Sequence, residues 1–305
     1  MRPLLNLIAL ICCVSLIAFN AYAVIPTKKV TPLYTLLEAA KVPLSKPSDV
    51  AVNNDYVYVV DGDNNRIVIY NKQGQYVRQF GRFGTRKGEF NYPVGIGLDS
   101  NGMIYVADTK NHRIQIFDKD GDYEKMIKTE VGGEPVRPVD ISVSSDNKKI
   151  YVTTKVNKVL IYKQNGKKIK ELGKTGKDKG EFRFPATITK MSHNRFAVVD
   201  VLNFRLQIFN SKGKFSYQVG DFGVRPGHFI RPKGVAISPD KKIYLSDSYM
   251  DVIQVFSDKG KFLHVLGAGG KPHRVTAPAG LAIDSQNRLY VTEVFANRIS
   301  VYQLE

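Results

Sequence analysis

Apolar positions along this chain fall in short runs of period two, separated by polar turns. The unit is clearest from Pro93. Val94-Gly95-Ile96-Gly97-Leu98 is a first run, and Asp99-Ser100-Asn101-Gly102 reads as a turn because Gly and Asn tolerate positive φ. Met103 to Ala107 is a second run, Asp108 to His112 a polar loop, and Arg113 to Phe117 alternates as Arg-Ile-Gln-Ile-Phe. Such alternation predicts a strand. Asp118-Lys119-Asp120-Gly121 then turns the chain into a fourth run, Tyr123 to Ile127.

The unit recurs. Prolines at 47, 93, 138, 185, 232 and 278 open successive copies, spaced by 46, 45, 47, 47 and 46 residues. Tyr70, Phe117, Tyr162, Phe209, Phe256 and Tyr302 end the third runs, and Gly74, Gly121, Gly166, Gly213 and Gly260 each follow four residues later. Asp61, Asp108, Asp200, Asp247 and Glu293 each precede their aromatic by nine residues, whereas the third copy has Thr153-Thr154 there and a shorter loop. Four strands at this period predict an all-β fold, a six-bladed β-propeller with repeats over 47–92, 93–137, 138–184, 185–231, 232–277 and 278–305. The sixth copy stops after its third strand. An orphan run in the 24–46 segment, Leu33-Tyr34-Thr35-Leu36-Leu37, resembles the fourth strands. It is expected to complete the last blade and close the ring, since a missing partner would leave an exposed strand edge.

Asn111-His112-Arg113-Ile114-Gln115-Ile116-Phe117, the Tyr105-Val106-Ala107-Asp108 run and the Gly84…Gly88-Glu89-Phe90…Pro93 connector resemble the NHL-repeat family. The resemblance spans residues 30 to 305. It implies a six-bladed propeller of an exported bacterial type that binds rather than catalyses, although a fold of this kind hosts unrelated activities.

Arg2, the mostly apolar stretch Leu4 to Phe19 and Ala21-Tyr22-Ala23 form a secretory signal pattern, with cleavage expected after Ala23. The apolar stretch is shorter than the roughly 20 residues a spanning helix needs, so no anchor is expected after cleavage. The expected location is the periplasm or the medium. Both cysteines, Cys12 and Cys13, fall within this segment. The mature chain would therefore hold no disulfide and would rest on its core alone. Thiol chemistry and Cys-ligated metal sites are excluded for it.

The chain has 45 Lys and Arg against 28 Asp and Glu. Such an excess favours anionic partners, although a solvated basic surface is the plain alternative. In a propeller, the connector between blades lies on the same face as the loop between second and third strands. The connectors hold Arg82, Arg86, Lys87, Arg137, Lys174, Lys177, Lys179, Arg225, Arg231, Lys271 and Arg274, with fewer acids, Glu89, Glu134, Asp178, Glu181 and Asp221. Arg66, Arg113, Lys158, Arg205 and Arg298 occupy one equivalent loop position and are expected to form a ring, broken by Val252. Each can line the docking face or pair with the acid of its own or the next loop. The connector cations have fewer evident partners and are the stronger binding candidates. An anionic envelope component or an acidic protein is the expected partner of a monomeric chain. Nucleic acid is not expected for an exported protein, and Phe83, Phe182, Phe204, Phe222 and Phe229 read as blade-packing residues rather than base-stacking ones.

Propeller enzymes of related architecture hold a metal in the central channel. The second residue after each proline should face its mouth: Asp49, Gly95, Asp140, Thr187, Gly234 and Gly280. Asp49, Asp140 and Thr187 are candidate calcium ligands, but calcium takes six to eight oxygens and three of the positions are glycine. No cofactor is therefore expected. The amidating lyases share the propeller and hold zinc on channel histidines. Here His112, His193, His228, His264 and His273 fall at different places in the repeat and none on an inner strand, so a converging zinc set is not expected. The reading is an exported, non-catalytic binding scaffold. A metal-dependent channel enzyme (a lyase or lactonase-like hydrolase) and an accessory subunit of an exported complex remain open.

Overall fold

The computed structural model describes residues 25–305, so the proposed signal segment lies outside the described residues. Six four-stranded antiparallel sheets stand around a central axis. The first strands, Pro47–Val52, Pro93–Leu98, Pro138–Val143, Pro185–Lys190, Pro232–Ile237 and Pro278–Ile283, each pack against the next, and the sixth packs back on the first. The ring of inner strands is therefore closed.

The closure lies where the orphan run predicts it. Val30–Leu36 pairs antiparallel with Arg298–Leu304 and forms the outer strand of blade six. Leu36 is buried among Val59, Tyr70 and Tyr290, between the first and last blades. Just before it, Thr27–Lys28 pairs in parallel with Phe262–Ala268 and adds a strand to blade five. The chain start thus straps the last two blades together.

Between blades lie six hydrophobic clusters. Second and third strands carry most of them, with both faces buried, as strands sandwiched between neighbouring sheets must be. Tyr58, Tyr105, Tyr151 and Tyr290 occupy one position of the second strands and are fully buried. Phe117, Phe209 and Phe256, which end third strands, are equally buried.

The connectors are of two kinds. Those leading into blades two, four and five read Gly81…Phe90, Gly173…Phe182 and Gly220…Phe229. Phe90, Phe182 and Phe229 are fully buried and bridge to Phe83, Thr175 and Phe222 at the loop's outer limb. Gly81, Gly173 and Gly220 have φ near +90°, and a Cβ on any of them would collide with the phenylalanine ring. The other three connectors contain two-residue ladders: Glu38–Ala39 with Val42–Pro43, Glu130–Val131 with Glu134–Pro135, and the end of Phe262–Ala268 with Lys271–Pro272.

Candidate binding face and channel mouth

In five of the six blades the acid that ends the second strand is a hub for the connector beside it. Asp108 Oδ1 accepts the Asn91 N–H at 2.8 Å, Asp200 Oδ1 the Arg183 N–H at 2.7 Å, Asp247 Oδ2 the Ile230 N–H at 2.7 Å and Glu293 Oε2 the Thr276 N–H at 2.8 Å. In blade one, Asp61 Oδ1 accepts the Ser45 N–H at 2.7 Å.

The loop arginines join this hub rather than a ligand ring. Arg66 Nε lies 2.7 Å from Asp61, Arg113 Nε 2.7 Å from Asp108, Arg205 Nε 3.0 Å from Asp200 and Arg298 Nε 2.8 Å from Glu293. Arg113 and Arg205, candidates for the docking face, are buried. Their remaining donors are engaged too. Arg113 donates to the Thr85, Arg86 and Glu89 carbonyls at 2.7–2.8 Å, and Arg205 to the Asp178 and Glu181 carbonyls at 2.9 and 3.1 Å. These side chains hold the connectors from inside. Lys158, at the shorter loop, reaches only Glu171, at 4.0 Å.

A third brace has no counterpart in the sequence reading. Gln115, Gln207 and Gln254 are buried on third strands. Each donates Nε2 to a connector carbonyl, that of Glu89, Glu181 or His228, at 2.7 Å. Each also accepts the N–H of Gly88, Gly180 or Gly227 at 2.7–3.0 Å. The signal was present as a polar residue recurring at one position of an otherwise apolar strand.

With the braces inside, most of the cations left outside on this face are on the connectors. Arg82, Arg86, Lys87, Lys174, Lys177, Lys179, Arg225, Arg231, Lys271 and Arg274 are all exposed. Arg82 pairs with Glu89 and Lys174 with Glu181, both at 3.0 Å, on the outside of the loop. The Arg86 N–H and the Arg82 guanidinium hold the Glu89 carboxyl below its usual range. Lys87 lies over the Tyr123 ring and Lys179 over Phe215, at 5.5 and 5.9 Å. Arg274 donates to the Met250 carbonyl. Arg86, Lys177, Arg225, Arg231 and Lys271 form no ion pair among the described residues. Of the phenylalanines read as packing residues, Phe182 and Phe229 are fully buried, Phe204 is half-buried, and Phe83 and Phe222 are exposed.

The channel opens on this same face as a cavity of about 340 Å³. Asp49, Gly95, Asp140, Thr187 and Gly280 line it, as their position after the prolines predicts; Gly234 does not. The glycines make room: a Cβ on Gly95 would come within 2.6 Å of Asp140 Oδ1, and one on Gly280 would overlap Asp49 Oδ1. Both aspartates are buried and clamp neighbouring blades. Asp49 accepts the Val50 N–H and, from blade two, the Ile96 N–H at 3.0 Å; Asp140 accepts the Ile141 N–H and, from blade four, the Ile188 N–H at 2.8 Å. Burial pushes the Asp49 carboxyl up to about 7 against the pull of these donors. Burial first, and then the charge of Asp49, holds Asp140 well above the usual range. Two carboxyl groups whose oxygens already accept backbone donors fall short of a calcium shell. Among the described residues no three His, Cys, Asp or Glu side chains gather into a metal-holding group.

Lys155, Arg231 and Lys233 add positive charge to the rim, and Tyr92, Phe184 and Phe295 add aromatic walls. Tyr92 and Phe184 have φ of +58° and +65°, a conformation bulky residues rarely adopt. Their N–H groups are held by Asn65 Oδ1 and Asn157 Oδ1 of the preceding blades, both at 2.8 Å. Lys233 sits 5.5 Å over the Phe184 ring, and burial, then the Arg231 charge, lowers its pKa. Strain of this kind, about 1–3 kcal/mol per residue, persists where surrounding contacts enforce it, and it clusters at ligand sites.

Among the described residues no helix is long and apolar enough to cross a membrane. The family model for the NHL repeat matches residues 44–70 and 90–117. Protein brain tumor of Drosophila melanogaster is 29% identical over 132 residues, which is 42% of this chain and 12% of that protein. The chain therefore spans only a small part of that relative's length. Among solved structures, a streptogramin B lyase is similar with a TM-score of 0.66 at 13% identity, over 89% of this chain and 98% of that one. Virginiamycin B lyase from Staphylococcus aureus, solved in a catalytically inactive form with quinupristin, gives 0.62 at 14% identity, over 91% and 96%. Hydrazine synthase from Kuenenia stuttgartiensis gives 0.60 at 11%, over 87% and 97%. Identities this low carry the fold alone. The chain is a six-bladed β-propeller, and the NHL-repeat model matches it in the first two blades.

Proposed function

We propose that this protein is an exported, non-catalytic binding propeller whose connector face docks an acidic partner. One observation carries the reading: the ring arginines are consumed inside the blades, whereas the connector cations stand exposed on internally braced loops, with Arg231 reaching the channel mouth. A rigid, positively charged surface lowers the ordering cost of association and steers anionic partners to it. Export rests on the signal pattern of residues 1–23, and N-terminal sequencing of the protein recovered from the producing cell tests it.

Changing Arg86, Lys177, Arg225 and Arg231 together to Glu tests the face. None is buried, so the melting temperature should barely move. Binding of fluorescent poly-glutamate should fall and lose most of its salt dependence. Unchanged binding would refute the assignment. A second reading, a channel enzyme, draws on the two perturbed carboxyl groups in the cavity. It requires activity that disappears in Asp140→Asn. Their cross-blade hydrogen bonds favour the structural role.

A further inference from the structure

The loop between second and third strands repeats six times around the mouth, and one position in it separates the blades into two sets. Two residues beyond the acid position stand Asp63 and Lys110 in blades one and two. In blades three to six the same position holds Val156, Leu202, Tyr249 and Phe295. These four side chains are 44%, 53%, 65% and 77% exposed. Exposure of this size takes them out of the core, which the buried second and third strands fill. The patch extends onto the connector into blade five, where exposed Phe222 lies 4.8 Å from the half-buried Phe204 ring and Val224 is 74% exposed. Phe295 also lines the mouth cavity, beside Lys155, Arg231 and Lys233.

We propose that this arc is a recognition surface for a segment of a partner protein in which apolar side chains are flanked by acidic ones. The inference rests on the docking reading above and narrows it. Large apolar side chains exposed at one position on four consecutive blades, with Phe222 and Val224 on the same face, mark an interaction site, because solvated proteins rarely gather exposed apolar side chains on one face. The cations beside the arc select acidic flanks. A concave mouth of about 340 Å³ between aromatic walls is large enough for an anchoring side chain to enter. An anionic lipid surface would also meet cations and apolar residues. The arc, however, reaches through Phe295 into a concavity that Asp49 and Asp140 also line, a shape that suits an inserted side chain better than a flat bilayer.

The test is selection from a random peptide library displayed on phage, run on the wild type and on Leu202→Ser with Tyr249→Ser and Phe295→Ser. All three positions are exposed, and an unchanged melting temperature confirms that the variant folds. We expect enriched peptides to combine Asp or Glu with Leu, Phe or similar residues, and to bind the variant at least about tenfold more weakly. Poly-glutamate should bind both proteins alike. Enrichment of acidic peptides without apolar residues, or equal affinity for both proteins, would overturn the arc while leaving the basic face intact. No acidic enrichment, with no binding of poly-glutamate, would overturn the basic face itself. Vesicles of phosphatidylglycerol that bind the wild type and not the variant, with no peptide enriched, would replace the protein segment by a lipid surface.

Discussion

Replacing Arg113 by Ala separates an internal brace from a ligand-binding arginine. The guanidinium makes an ion pair with Asp108 at 2.7 Å and three hydrogen bonds to the Thr85, Arg86 and Glu89 carbonyls. Removing one partner of a buried pair costs about 3–5 kcal/mol, because the other charge is left uncompensated. Asp108 keeps donors from Asn91, Asn111 and Gln115, which places the expected loss near the lower end. At about 2–4 °C per kcal/mol for a domain somewhat smaller than this, the melting temperature should fall by roughly 6–12 °C. The drop should persist at about 1 M salt, where exposed pairs are screened and buried ones are not. Arg113→Lys should rescue little, since one ammonium cannot reproduce a planar fork that reaches a carboxylate and three carbonyls. Scanning calorimetry of wild type, Arg113→Ala, Arg113→Lys and the surface control Lys177→Ala measures this. A fall no larger than that of the control, within about 0.5 kcal/mol, would show that Arg113 is free and belongs to the binding surface after all.

Three further outcomes follow from the same contacts. A chain beginning at Lys41 lacks the outer strand of blade six and the strand added to blade five; it should melt lower or aggregate, and an unchanged midpoint would sink the closure. Gly220→Ala should destabilise by about 1–3 kcal/mol or more, because φ is +92° and the new methyl meets the Phe229 ring; an unfolding midpoint in urea that stays put would contradict this. The Asp49 pair makes stability depend on pH. Its folded pKa values lie above the unfolded value of about 3.9, so the protonated fold is favoured. That contribution is fully present below the unfolded pKa and is lost as pH rises through about 7. Between acid and mildly alkaline pH, the melting temperature of the wild type should therefore fall more steeply than that of Asp49→Asn. Parallel curves for the two proteins would rule out the raised carboxyl.

The blades were legible because the strands alternate and every third strand ends on an aromatic, in five copies at a fixed distance from an acid. Closure by Leu33–Leu37 was legible because a repeat that lacks its fourth strand demands one from elsewhere. The pairing of Arg66, Arg113, Arg205 and Arg298 with their acids was one of two readings the sequence left open, the other being the docking face. Spacing alone did not say that the pair lies beneath the connector, since that depends on a loop folding back over it. The strand Thr27–Lys28 was not legible, because two residues carry no period and the partner lies far along the chain. The apolar arc was hidden for another reason. The second copy, the clearest of the six, has Lys110 at the deciding position, and the loop reads as polar from it. The strained Tyr92 and Phe184 depend on side chains of the preceding blade, a contact no local pattern contains.

The most direct test of the docking surface is hydrogen–deuterium exchange of the full protein with and without saturating acidic peptide. Protection is expected on residues 82–90, 174–182 and 221–231 and on the loops bearing Val156, Leu202, Tyr249 and Phe295, all on the connector face. Protection confined to the opposite face, around residues 99–103, 145–149 and 239–242, would contradict it.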